Sequence, residues 1–199
     1  GLGVAGQQKY TEQILSLFPG VKWDLGVEGL RAMLAAYKDI DTPKLKENLR
    51  LFLKEVVPVA EASGVRMAIH PDDPPFSVLG LPRIVSSEKD VAEIYAMVDS
   101  PANGLCFCTG SLGARRENDL VGIVRRLGSR IHAAHLRNVA FADNGVFFEA
   151  DHLAGSTDMY AVVKALLEEQ HRRRKDGRRD CALPLRPDDQ WFVGLGFSS

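Results

Sequence analysis

The sequence predicts an α/β fold on a parallel sheet, amounting to about half of an eight-unit βα barrel, and three observations predict it. Four short apolar runs, over residues 65–69, 105–108, 131–134 and 181–185, alternate with stretches whose apolar residues recur at helical spacing. Each run is short and almost uniformly apolar, as strands covered on both faces are, and each gives way to polar residues. At 199 residues the chain holds one domain and its core, yet falls short of the roughly 250 residues of a complete barrel.

The elements follow in order. Residues 1–41 form a helical lead-in, with helical patterns at 10–18 and 27–38 split by Pro19 and Gly20, and Leu30, Met33, Leu34 and Tyr37 as a buried face. Residues 42–189 carry the βα units. Thr42 can cap a helix and Pro43 suits its first turn, and Leu45, Leu49, Phe52, Leu53, Val56 and Val57 recur at helical spacing. Pro58 is expected to kink this helix and Gly64 to end it. The strand at 65–69 then runs into His70, Pro71, Asp72, Asp73, Pro74 and Pro75, where prolines forbid any continuation.

Ser87 and Asp90 have the spacing of a capping box ahead of the stripe Val91, Ile94, Tyr95 and Val98. After a turn at 101–104 the second strand ends on Cys108, Thr109, Gly110 and Ser111. A helix over 118–127, with Leu120, Ile123, Val124 and Leu127 inward, stops at Gly128, and the third strand ends on His135. The connection at 136–157 is too long for an idle loop and is expected to be a lid or site loop. Asp158 caps a helix whose basic end, His171 to Lys175, reads as a solvated face. The fourth strand, 181–185, ends on Arg186, Pro187, Asp188 and Asp189, and residues 190–199 form an atypical tail with no clear period.

Composition narrows the function. With 45% hydrophobic and 26% charged residues and a net charge of −1, the chain has no excess of charge to draw nucleic acid or an anionic membrane. No apolar run approaches the roughly 18 to 20 residues of a membrane span and no signal peptide is visible, so the expected location is the cytoplasm. Three cysteines give no disulfide framework and are expected to be reduced thiols.

The candidate chemistry lies at the strand ends. In a barrel these converge on one mouth, which would bring His70, Cys108, His135 and Asp188 together. Such a set suits Mn²⁺, Fe²⁺, Co²⁺ or Zn²⁺ rather than Mg²⁺ or Ca²⁺. Any one of them alone is more often a hydrogen-bonded histidine or a small buried thiol; the coincidence of four strand ends favours ligands. Asp72 and Asp73 are either acceptors behind His70 or part of a turn. Arg137 and Asn138 are placed to grip a carboxylate, and Gly110, Ser111, Arg115 and Arg116 either hold an anion or form an exposed helix start. Glu149 and His152 in the long connection, with Arg137 and Arg186, form the expected substrate-binding set.

The segments 70–75, 80–85, 108–111, 135–137, 149–153 and 158–160 together resemble the mannonate dehydratase family of the UxuA type. The resemblance runs from about Gly3 to Asp188. It implies a TIM barrel of the xylose isomerase-like group, of which this chain covers about the second half. It also implies dehydration of D-mannonate to 2-keto-3-deoxygluconate in hexuronate breakdown, and a homo-oligomer in the full-length enzyme. By resemblance, Mn²⁺ or a similar ion such as Fe²⁺ or Co²⁺ is held by His70, Cys108, His135 and Asp188. The family continues past the aspartate with histidine and glycine, whereas Asp189 and Gln190 stand here, so Asp189 occupies the place of the family's acid/base histidine. An internal fragment, or a truncated product with altered last residues, of a longer enzyme is expected. A metal-dependent sugar isomerase or epimerase, or an inactive metal-binding protein, are the competing readings.

Overall fold

The computed structural model describes residue 3 and residues 26–143 and 146–187. The helical pattern at 10–18, the candidates Asp188 and Asp189, and the tail at 190–199 lie outside the described residues. The elements are α1 (Gly26–Ala36), α2 (Thr42–Ala62), β1 (Met67–Ile69), α3 (Glu88–Met97), β2 (Asn103–Cys108), α4 (Thr109–Gly113), α5 (Leu120–Leu127), β3 (Ile131–Leu136), β4 (Asn138–Phe141), β5 (Phe147–Ala150), α6 (Met159–Lys175) and β6 (Leu185–Pro187).

Four strands form one parallel sheet in the order β1-β2-β3-β6, with Ile69 beside Leu105, Cys108 beside His135 and His135 beside Arg186. Neighbours in space are successive units in sequence, with no reversal of strand order. That progression is an arc of a barrel, since a doubly wound sheet reverses at a switch point. All four strands present their carboxyl ends at one edge.

Local chemistry sets the helix boundaries. Asp41 accepts from the Lys44 N–H at 2.8 Å and is the cap of α2, displacing Thr42 to the first helical position. Asp has the stronger capping oxygen, and Pro43 then falls in the first turn, where its missing N–H costs nothing. The helix runs on through Pro58 to Ala62. Gly64, at φ +68°, ends it: the Gly64 and Val65 N–H groups bond the Glu61 and Ala60 carbonyls, a left-handed termination suited to glycine. Ser87 and Asp90 form the expected reciprocal cap of α3, and Asp158 caps α6 through the Ala161 N–H at 2.9 Å.

The core lies between sheet and helices. Leu53 and Val57 of α2, Val91 and Ile94 of α3, Ile123 and Val124 of α5 and Val162 and Leu166 of α6 close over Leu105, Phe107, Ile131 and Ala134. Each Val, Leu, Ile or Phe among them contributes about 1.5–3 kcal/mol by leaving water.

Three expectations are corrected. The fourth strand pairs over 185–187 rather than 181–185, because Pro184 offers the Ala134 N–H a carbonyl but has no N–H to return, so the ladder begins one residue later. The connection after β3 is not a bare loop: β4 and β5 pair antiparallel, from Asn138 opposite Ala150 to Phe141 opposite Phe147. The basic end of α6 is not wholly solvated, since Arg173 is 1% exposed. It donates to Glu169, to the Gly128 and Ile131 carbonyls at 2.6 and 2.7 Å, and to the Asp180 carbonyl at 3.1 Å.

Candidate metal centre

At the carboxyl edge of the sheet, His70 follows β1 directly, Cys108 is the last residue of β2 and His135 is the penultimate residue of β3. One ligand atom from each lies within 4.8 Å of the other two. His135 Nδ1 is 3.4 Å from Cys108 Sγ and 3.5 Å from His70 Nε2. Metal–nitrogen and metal–sulfur bonds of about 2.0–2.3 Å put neighbouring ligand atoms on the order of 3–4 Å apart, so the spacing fits one shared transition-metal ion.

The tautomer of His70 fits as well. His70 Nδ1 lies 2.8 Å from the Pro71 carbonyl, which accepts only if that nitrogen carries the proton; Nε2 then faces Cys108 and His135, a lone pair in the neutral ring and a donor to the thiolate in the charged one. Burial pushes the Cys108 thiol up, but hydrogen bonds from His70 and from the hydroxyl and N–H of Ser111 outweigh it and bring the pKa to about 7. The sulfur beside it raises the pKa of His70, against burial and with help from the Pro71 carbonyl. A thiolate beside two imidazoles is a soft-to-borderline donor set.

Each residue that follows Cys108 has a visible task. Thr109 donates to the Arg137 carbonyl at 2.6 Å and accepts from the Arg137 N–H at 2.8 Å, fastening the end of β2 to the end of β3. Gly110 leaves room for Arg137, whose Nε would lie 2.1 Å from any Cβ added there. Ser111 is fully buried and directs its hydroxyl to Cys108 Sγ at 3.2 Å and its N–H at 3.4 Å. The anion site read from Gly110, Ser111, Arg115 and Arg116 does not assemble. Arg116 instead stacks on Phe141 at 4.1 Å, and Arg115 pairs with Glu117 at 3.7 Å.

The acidic pair after His70 also resolves into separate roles. The Asp72 carboxylate accepts from the Ile84 and Val85 N–H groups at 2.8 and 2.7 Å, tying segment 70–75 to segment 80–85. Asp73 forms an ion pair with Arg137. Neither accepts from His70, whose Nδ1 proton faces Pro71.

Of the expected substrate-binding residues, Arg137 lies at the mouth against Asp73 and over Gly110. Arg186 sits exposed on β6 in register with His135. Glu149 is exposed on β5, opposite Val139. His152 Nε2 lies 2.9 Å from the Leu136 carbonyl, a contact that anchors the segment after the hairpin to the end of β3. Asn138, read as a carboxylate grip, is 1% exposed; its amide donates to the His152 and Thr157 carbonyls and accepts from the Thr157 N–H. Asn138 therefore positions the connection and does not face substrate. Sequence reasoning missed the roles of Thr109 and Ser111; their short spacing from Cys108, at a strand-to-helix turn, was the available signal.

With this geometry in view, comparison with known proteins decides the family: the model of D-mannonate dehydratase (UxuA) matches residues 3–194. The chain belongs to the D-mannonate dehydratase (UxuA) family. Mannonate dehydratase 2 of Agrobacterium fabrum is 46% identical over 188 residues, 94% of this chain and 47% of that protein. Mannonate dehydratase of Saccharophagus degradans is 45% identical over 177 residues, 89% of this chain and 45% of the relative. This member thus spans just under half the length of the curated relatives it matches. Among solved structures, mannonate dehydratase from Streptococcus suis serotype 2 superposes with a TM-score of 0.67 at 39% identity, over 76% of this chain and 41% of that one. A xylose isomerase domain protein from Planctomyces limnophilus, at 15% identity and a TM-score of 0.53, covers 74% of this chain and 46% of its own and shares the fold. The described sheet is accordingly about half of a xylose isomerase-like TIM barrel. No helix among the described residues is long and apolar enough to cross a membrane.

Proposed function

We propose that this chain carries the metal-holding part of a cytoplasmic D-mannonate dehydratase, which removes water from D-mannonate to give 2-keto-3-deoxy-D-gluconate. The observation that carries the reading is the meeting of His70 Nε2, Cys108 Sγ and His135 Nδ1 within 4.8 Å at the strand ends of a UxuA-family chain. Asp188 is the fourth ligand in this reading, two residues beyond Arg186, which shares a register row with His135 and Cys108. Imidazole, thiolate and carboxylate together suit Mn²⁺, with Fe²⁺ or Co²⁺ as substitutes. When bound, such an ion polarises the substrate carboxylate and makes the proton on the adjacent carbon easier to remove.

The rest is the work of the side chains. Arg137 and Arg186 bind the sugar-acid carboxylate, and Asp73 and Gly110 hold the Arg137 guanidinium in place. Glu149 and His152 face the sugar hydroxyls from the hairpin segment that Asn138 fastens. The proton leaves C2, the C3 hydroxyl departs with a proton as water, and the resulting enol becomes the ketone. An acid/base group must move these protons, and Asp189 stands where the resemblance places a histidine. A carboxylate next to the cation has its pKa lowered and reaches less far than imidazole, so its proton transfer is slow.

The chain is therefore expected to bind Mn²⁺ while forming 2-keto-3-deoxygluconate far more slowly than a full-length relative assayed alongside it. Turnover equal to the relative's would overturn the role given to the histidine position. Absence of Mn²⁺, Fe²⁺ and Co²⁺ binding by titration would overturn the metal reading. Restoring the family residue with Asp189→His should raise the rate.

A further inference from the structure

We propose that Ser111 sets the metal preference of this centre by hydrogen-bonding the Cys108 sulfur, an inference that rests on the metal reading above. Ser111 is fully buried and delivers two donors to one atom, its hydroxyl at 3.2 Å and its N–H at 3.4 Å from Sγ. Both come from one residue, three positions along on the turn that starts α4, so the chain's own local geometry holds them in place. Among the described residues no other hydroxyl donates to that sulfur. Thr109, next to Cys108, is committed to the Arg137 backbone just past β3.

Hydrogen bonds to a thiolate withdraw electron density from sulfur. They weaken it most as a ligand to ions that gain most from covalent sulfur bonding, Zn²⁺ and Co²⁺, and least for Mn²⁺, whose bonding is more ionic. A cysteine among the ligands would by itself draw Zn²⁺, the more thiophilic and generally tighter-binding ion. Ser111 opposes that bias without removing the ligand. It touches neither ion nor substrate in this account; it acts through Cys108 and is a positioning residue.

The test compares the full chain with Ser111→Ala, which keeps the N–H and loses the hydroxyl, and Ser111→Thr, which keeps both donors. Mn²⁺ and Zn²⁺ affinities are measured separately by competition with a chromophoric chelator, and Co²⁺ is added for its sulfur-to-cobalt charge-transfer band. Expected for Ser111→Ala is a shift of about tenfold in the Zn²⁺-over-Mn²⁺ ratio toward Zn²⁺, in line with the effect of outer partners on metal sites. A move of the cobalt band to longer wavelength should accompany it, as sulfur becomes easier to oxidise, with both readouts restored in Ser111→Thr. Equal weakening of both ions with an unmoved band would overturn the proposal and leave Ser111 a packing residue, as would no change in the ratio. If Thr does not fit, Ser111→Gly must reproduce the Ala result, and disagreement between the two overturns the proposal. Failure of the unsubstituted chain to bind any of the three ions overturns the metal reading itself, and this inference with it.

Discussion

The two ends of the parallel sheet both gather polar side chains, and they do so in opposite ways. At the amino end, Arg173 places its donors on Glu169 and on the Gly128, Ile131 and Asp180 carbonyls. Beside it Arg130 stacks on Tyr95 at 4.3 Å and donates to the Asn103 carbonyl at 2.8 Å. Donors meet acceptors there, and both guanidinium groups find their partners within the chain. At the carboxyl end, His70, Cys108 and His135 converge on one another across 3.4–3.5 Å, ring nitrogens and sulfur turned to a common point. Three such atoms within 4.8 Å of one another could hold a metal ion. The difference separates framework from candidate site: a buried charge that the fold itself neutralises stabilises, and a converging set of ligand-type atoms is placed to bind.

The strongest way to break this contrast is at Arg173. Arg173→Ala leaves Glu169, with a side chain 4% exposed, without that partner and strips three carbonyls of their donor, which should cost about 3–5 kcal/mol. Urea denaturation measures it, and a loss under about 1 kcal/mol would show the amino end to be dispensable. Arg173→Lys keeps the charge but not the fork and should fall between.

Next in size comes the carboxyl end. Cys108→Ala removes one of three converging ligand atoms and should weaken Mn²⁺ by about 10- to 100-fold while changing stability less than Arg173→Ala does, because it removes no buried charge partner. Calorimetric titration alongside thermal melting checks both halves. A large loss of stability with unchanged metal affinity would make the cluster framework after all.

The smallest expected effect is a pH dependence at the amino end. Burial holds His132 near a pKa of about 4, with Nε2 donating to the Pro101 carbonyl at 2.8 Å. The unfolded chain, at about 6.5, takes up its proton first. The contribution of neutral His132 is thus fully present above about pH 6.5 and is lost as pH falls toward 4. Because the side chain is only partly buried, the loss should be about 1–2 kcal/mol. Denaturation midpoints between pH 7 and 4.5 should fall less steeply in His132→Gln, and parallel slopes would refute the assignment.

Much of the site was readable in advance because its residues stand at strand ends, and a parallel barrel sends all strand ends to one place. His70, Cys108 and His135 needed only that rule. The hairpin of β4 and β5 was also written in the chain, as apolar residues flanking Asn144 and Gly145, a pairing signal that an expectation of one long loop passes over. Asp41 as the cap of α2 was equally local.

What the amino-acid sequence determined by itself, then, were features that depend on neighbours along the chain: the capping box at Ser87 and Asp90, the glycine stop at Gly64, the alternation of strand and helix, and the family. Tertiary structure alone decided where long side chains spend their charge. Arg172, Arg173 and Arg174 are alike in sequence, and only Arg173 faces inward, because α6 packs with that side toward the turn at Gly128 and the start of β3. Asp72 and Asp73 are adjacent, yet one serves backbone N–H groups twelve and thirteen residues on and the other a guanidinium sixty-four residues on. Helical and strand periodicity fix which face a residue is on; what waits on that face is set by segments distant in sequence, whose approach no local pattern encodes.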